Sequence, residues 1–244
     1  MDPNRIEVFD SASDVVVYDV EKYEIVSSPL LKAGSSFETF PTFSPDGRKL
    51  YFCTADSLAV PAEYDKVKYN VCVIDFDPDT RSFGSAVDTL YNARKGGLSA
   101  SFPRVSPDGR FLLYTLSGYG NFSIWHKDAD LAMASLSDGS AVDVKALNSA
   151  DVESYHAWSG SGRWVVFSSR RDDKLYTRLY IAHIDENGVA SKPFVVPQKS
   201  PWHDADLLKS YNIPEFIEGR VRTSAYRISR VAKKDPGIDL TFAD

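Results

Sequence analysis

The chain has 244 residues, 43% hydrophobic and 25% charged, enough apolar residue to bury the core of one large domain or two small ones. Its net charge of −6 argues against a general nucleic-acid surface, because neutralising phosphates needs a basic field. With 13 Tyr, 14 Phe, 14 Gly and 13 Pro, the composition leans toward pleated strands punctuated by turns.

At the N-terminus, MDPNRIEVFD carries neither the basic stretch nor the apolar run of a signal peptide. The expectation is a cytoplasmic protein, or one whose natural N-terminus lies further upstream. No run of about 20 apolar residues exists that could span a membrane as a helix. VVVYDV (15–20) and EIVSSPLL (24–31) read as two strands, the third and fourth of a unit without its first pair. This half unit covers 6–33.

Three fuller units follow, at 37–93, 98–150 and 153–198. Each opens with a short strand, TFPTF, SFPRV or SYHAW, and then a turn. In the first two the turn is Ser-Pro-Asp-Gly, at 44–47 and 106–109. Pro presets φ, Asp bonds the local backbone, and Gly takes the positive φ that other residues resist. The third copy, WSGSGRWVVF, puts Gly160 and Ser161 in place of Pro and Asp, which points to Gly162 and Arg163 as the turn's minimum. Behind the turns run KLYFCT, FLLYTL and WVVFSS, continuous apolar stretches of the kind buried strands show. Third strands are expected at NVCVIDF, DLAMASL and LYIAHID, and less distinct fourth strands from Phe83, Ser140 and Lys192.

Four short antiparallel strands per repeat is the pattern of a propeller blade. The expected fold is all-β, with blades over 1–200 and a partly helical or extended tail over 201–244. Three and a half blades fall short of the usual four to eight, so the chain reads as part of a six- to eight-bladed propeller, with open edges that invite association. A small ring closed by the tail is the alternative. Cys53 and Cys72 lie in apolar strand-like runs and are expected as buried free thiols. In the tail, DADLLKSY (204–211) suggests a short helix ended by Pro214. From 219 to 234 there are six basic residues and no acid, which leaves twice the net negative charge on the rest of the chain. That segment either lies on its own acidic domain or docks on an acidic partner or membrane surface.

FPTFSPDGRKLYFCT and SFPRVSPDGRFLLYT resemble the TolB-like (WD40-like) β-propeller repeat, in which an aromatic precedes Ser-Pro-Asp-Gly-Lys/Arg and an apolar strand. SYHAWSGSGRWVVFSSRRDD and KSYNIPEFIEG resemble exported TolB-like proteins of the Bacteroides group. The resemblance covers about 37–216. It implies an interaction platform in the cell envelope of a Gram-negative bacterium, in the periplasm or at the outer membrane; the expected partner is a protein or peptide, and no cofactor is expected.

In a four-stranded blade, the 1–2 and 3–4 turns share one face, which carries the Ser-Pro-Asp-Gly turns. The longer 2–3 and 4–1 connections project from the other, and loops on a rigid scaffold commonly carry binding. The loop face therefore supplies the candidate binding residues: Trp125, His126, His156, Arg170, Arg171, Asp172, Trp202 and His203. His126, His156 and His203 would make a metal site if they converged, giving a carbohydrate-active or metal-dependent enzyme as the alternative; no ligand spacing supports it. Arg170-Arg171-Asp172-Asp173 suits either an anion site or ion pairs within the blade, of the weak exposed kind. Gly-x-Ser-x-Gly, phosphate-loop and dinucleotide motifs are missing from the sequence, so the expected role is non-catalytic, with a purely structural assembly module as a further alternative.

Overall fold

A computed structural model describes residues 7–234, 237 and 239–243. The first residue of the expected half blade, Ile6, and residues 235, 236, 238 and 244 of the tail lie outside the described residues.

The chain is mostly β. Three four-stranded antiparallel sheets follow one another in sequence order. The first joins β3 (Ser36–Phe43), β4 (Lys49–Asp56), β5 (Asn70–Asp77) and β6 (Ser82–Tyr91). A single helical turn, α1 (Ala93–Gly96), leads into the second: β7 (Ser99–Val105), β8 (Phe111–Ser117), β9 (Asp130–Ser135) and β10 (Ala141–Val142). The third joins β11 (Glu153–Trp158), β12 (Trp164–Ser169), β13 (Arg178–His183) and β14 (Phe194–Val195). Ahead of them lie β1 (Val17–Asp19) and β2 (Glu24–Val26). After them come α2 (His203–Asp206), α3 (Ala225–Lys234) and β15 (Thr241–Phe242). The fourth strands of the second and third blades are only two residues long, where longer ones were expected. Ser140 and Lys192 begin segments whose remaining residues run as a 3-10 turn or irregular chain.

The repeated turn closes each β-hairpin through the same bonds. Ser44 N–H donates to Lys49 O (2.8 Å) and Gly47 N–H to Ser44 O (2.9 Å), while Ser44 Oγ accepts from Lys49 N–H (2.9 Å). Asp46 Oδ1 accepts from Arg48 N–H (3.1 Å). Ser106, Asp108 and Gly109 repeat this pattern. In the third blade Ser159 takes the part of Ser44, and the Ser161 hydroxyl stands in for the carboxylate beside Arg163 N–H (3.4 Å). The invariants are therefore three: the leading serine, which the expected minimum of glycine and arginine left out, the glycine, at φ +69°, +73° and +67°, and the arginine after it.

The apolar second strands bury both faces, which is why they read as continuous runs rather than alternating ones. Leu50 and Phe52 of β4 pack toward Val15 and Leu31 of the half blade; Tyr51 and Cys53 pack toward Ala100 and Leu112 of the second blade. Val165 and Phe167 of β12 pack on Leu113, Leu131 and Met133 in the same way. Cys53 and Cys72 are buried free thiols, and burial pushes both up.

Every innermost strand repeats a backbone feature that the aromatic at the same repeat position does not by itself announce. Phe40, Phe102 and Tyr155 sit in the left-handed region at φ +52°, +53° and +55°, each at a register shift in the pairing with the second strand. A bulky residue with positive φ is a conformational outlier, and here the bulge turns an aromatic side chain inward. The rings form a file, with centroids 4.0 Å apart for Phe40–Phe102 and 4.8 Å for Phe102–Tyr155.

Among the described residues, the tail does not supply a missing first or second strand. β15 pairs in parallel with β2, on the edge away from β1, giving the order β1-β2-β15. Nor does 204–211 form the expected helix: α2 ends at Asp206, and the chain then runs extended across the third blade. It is held by the buried Arg178, whose guanidinium donates to the carbonyls of Asp204 (2.6 Å), Leu207 (3.0 Å) and Lys209 (2.8 Å). Such charge-assisted bonds are about twice as strong as neutral ones. Ser168 Oγ adds a bond to Asn212 O (2.9 Å), and Tyr211 N–H donates to Thr177 O (3.1 Å).

Candidate functional site

Two long connections and the tail meet on the loop face. The β8–β9 connection carries a 3-10 turn over Ser123–Trp125, whose buried Ile124 anchors it and leaves Trp125 38% exposed. The β12–β13 connection presents Arg170, whose guanidinium carbon lies 4.5 Å from the Trp125 ring centroid. Tyr155, aimed inward by its bulge, completes this wall. The tail forms the opposite wall with Ser210, Tyr211 and Asn212, tied down beside Thr177. Between them is a groove of about 320 Å³.

The three arginines of this face have different surroundings. Arg171 donates to Glu153 Oε1 (2.9 Å), Leu147 O (2.5 Å) and Ser169 Oγ (3.1 Å). Glu153 is fully buried and also accepts from the hydroxyls of Ser149 (2.7 Å) and Ser169 (2.8 Å). The expected weak, exposed pairing is therefore corrected at Arg171: its partner carboxylate is fully buried, the guanidinium is only 16% exposed, and the pair ties the loop to the sheet. Arg178 holds the tail and lies 3.6 Å from Asp173. Arg170 differs from both. Its guanidinium makes no hydrogen bond or ion pair among the described residues, and its Nε is shut off from solvent. Burial lowers its pKa, opposed by the charges of Asp151 and Asp173.

The other candidate residues occupy separate places. His126 is buried, its ring 4.5 Å from that of Tyr119. His156 is buried on the innermost strand β11, with Nε2 3.0 Å from Leu113 O of the neighbouring blade. Burial, with a lesser contribution from the Arg104 charge, holds its pKa down to about 3, so the ring is neutral. Asp172 is exposed. Trp202 is 70% exposed, and His203 Nε2 lies 3.1 Å from the Tyr211 hydroxyl. Among the described residues, no group of three or more His, Cys, Asp or Glu is arranged to hold a metal ion, so His126, His156 and His203 do not converge. Of the eight candidates, the groove brings together Trp125 and Arg170. Sequence reading missed Tyr155, Tyr211 and Asn212. Tyr155 follows the positions of Phe40 and Phe102 and was readable by alignment of the repeats; Tyr211 and Asn212 lie in KSYNIPEFIEG, whose resemblance implied an anchor on the propeller and not a wall of a binding groove.

No protein-family model matches the chain, and no curated protein does. Solved structures do. An oligogalacturonate lyase in complex with manganese is similar over 77% of this chain and 49% of its own, at 12% identity and a TM-score of 0.50. A puromycin-hydrolyzing peptidase of Mycobacterium tuberculosis is similar over 80% of this chain and 30% of its own, at 14% identity and a TM-score of 0.50. TolB from Acinetobacter baumannii matches at 18% identity and a TM-score of 0.47, over 77% of this chain and 38% of its own. The chain thus spans less than half the length of each. At these identities the likeness shows the fold alone, which is β-propeller-like.

Proposed function

We propose that the chain is a non-catalytic β-propeller scaffold that binds a protein or peptide partner through its loop face, in association with the cell envelope. The observation that carries this reading is the groove at Trp125, Tyr155, Arg170 and Tyr211, where aromatic surface and an unengaged guanidinium lie open on a rigid support. Trp, Tyr and Arg are the residues that dominate binding energy at interfaces. The histidines that could serve acid–base chemistry are occupied otherwise: His126 by packing, His156 by burial and a backbone carbonyl, and His203 by a tyrosine hydroxyl. The envelope assignment rests on the resemblance of the Ser-Pro-Asp-Gly repeat to TolB-like sequences.

Site-specific photocrosslinking tests the reading. A photoreactive residue at Trp202, on the loop face, should trap one discrete partner, and the purified partner should bind the wild-type chain at least tenfold more tightly than Trp125→Ala. Equal trapping from Ser161 in the hairpin turn of the third blade, or turnover on a polysaccharide panel, would contradict it. A second reading, an assembly module, is favoured by Trp164 and Phe194, which remain exposed with ring centroids 6.5 Å apart on the third blade. It predicts a concentration-dependent oligomer in light scattering that Trp164→Ser dissociates.

A further inference from the structure

Arg170 is placed to meet an anion. Its neighbours Arg171 and Arg178 are engaged in holding a loop and the tail. The guanidinium carbon of Arg170 lies over the Trp125 ring, 4.5 Å from its centroid, with its donors unengaged among the described residues, and one of them, Nε, is buried. A buried donor left without a partner costs about 1–3 kcal/mol, so the fold maintains this arrangement against its own stability. Stacking on an aromatic face fixes the guanidinium plane, and a fixed planar fork suits two parallel bonds to a planar anion.

The groove narrows the choice of anion. Arg170 is the one charged residue among the described residues lining it. The nearby charges of Asp151 and Asp173 oppose any further negative charge. A monoanion is matched by one guanidinium; a phosphate dianion would need a second cation, which the lining does not offer. The remaining polar groups are mostly spent. Thr177 donates its hydroxyl to Tyr211 O, and Ser210 Oγ accepts from Thr177 N–H. A polyhydroxylated sugar acid would find few partners against Ile124, Trp125 and Tyr155, whereas a peptide end has one carboxylate and an apolar body. At about 320 Å³ the groove lies at the small end of ligand-sized pockets, which run from about 300 to 1,000 Å³.

We infer that the groove captures the C-terminal carboxylate of a partner peptide, with Arg170 as its bidentate ligand, Trp125 and Tyr155 packing on the terminal side chain, and the Asn212 amide available to the last peptide bond. This deepens the proposed peptide-binding reading and rests on it.

Affinity selection from a pool of random hexapeptides, in free-acid and C-terminally amidated forms, tests the inference. The free-acid pool should be retained by the wild-type chain about ten- to a hundredfold more than the amidated one, the range expected for one charge-assisted pair. Arg170→Gln should abolish the difference, and circular dichroism should show that variant folded. A separate arm of amidated peptides carrying internal Asp or Glu should be retained no better than neutral ones. Equal retention of acid and amide would overturn the carboxylate assignment and leave peptide binding standing. Preference for internal acids would overturn the terminal assignment. Retention of neither pool would overturn the inference, while the crosslinking experiment decides separately whether a protein partner uses this face. Discrimination that survives in Arg170→Gln would place the site elsewhere.

Discussion

Glu153 and His156, three residues apart on β11, show how little of a side chain's role its identity settles. Glu153 is fully buried yet ionically satisfied by Arg171 and two hydroxyls. Breaking a buried pair strands a charge, so Glu153→Ala is expected to lose roughly 3–5 kcal/mol in urea denaturation. A loss below about 1 kcal/mol would mean the pair behaves as an exposed one. His156 works through pH. Its folded pKa of about 3 lies below the ordinary 6.5 of an unfolded imidazole, so the unfolded chain takes up the proton first as pH falls. The stability associated with the neutral ring is present above pH 6.5 and is lost progressively toward pH 3. The fall in unfolding free energy between pH 7.5 and 5 should be smaller in His156→Gln than in the wild type; equal falls would contradict the burial argument.

The hairpin turn is the element that organises the chain, and its chemistry can be separated from its packing. An added Cβ at Gly47 or Gly109 would meet no atom within 4 Å, so the cost of Ala there is conformational. Each substitution should cost about 1–2 kcal/mol, the left-handed penalty for an L-residue. The blades, the turns and the order of strands were legible because each rests on local chemistry: a proline, a side chain bonding its own backbone, a glycine with positive φ. The bulges at Phe40, Phe102 and Tyr155 were not, since an aromatic residue in the left-handed region is disfavoured locally and is imposed by packing around the inner strands. Trp125 and Arg170 were legible as loop-face residues, but Arg170 could not be separated from Arg171. Only the fold decides which guanidinium finds Glu153 and which is left over. The pairing of β15 with β2 joins residues more than 200 positions apart, a contact that two exposed residues, Thr241 and Phe242, do not announce.

At the scale of the whole molecule, the tail links the structure to the proposed function. Arg178 fastens 204–209 to the third blade, and the next three residues form one wall of the groove. Arg178→Ala should therefore speed hydrogen exchange and limited proteolysis across 203–212, and weaken partner binding without touching Arg170. Unchanged protection of that segment would mean the tail is held by other contacts. Hydrogen exchange of the chain with and without its crosslinked partner shows whether the loop face is the binding surface. New protection is expected in 118–129, 170–177 and 203–212. Protection confined to the turns at 44–47, 106–109 and 159–162 would contradict it.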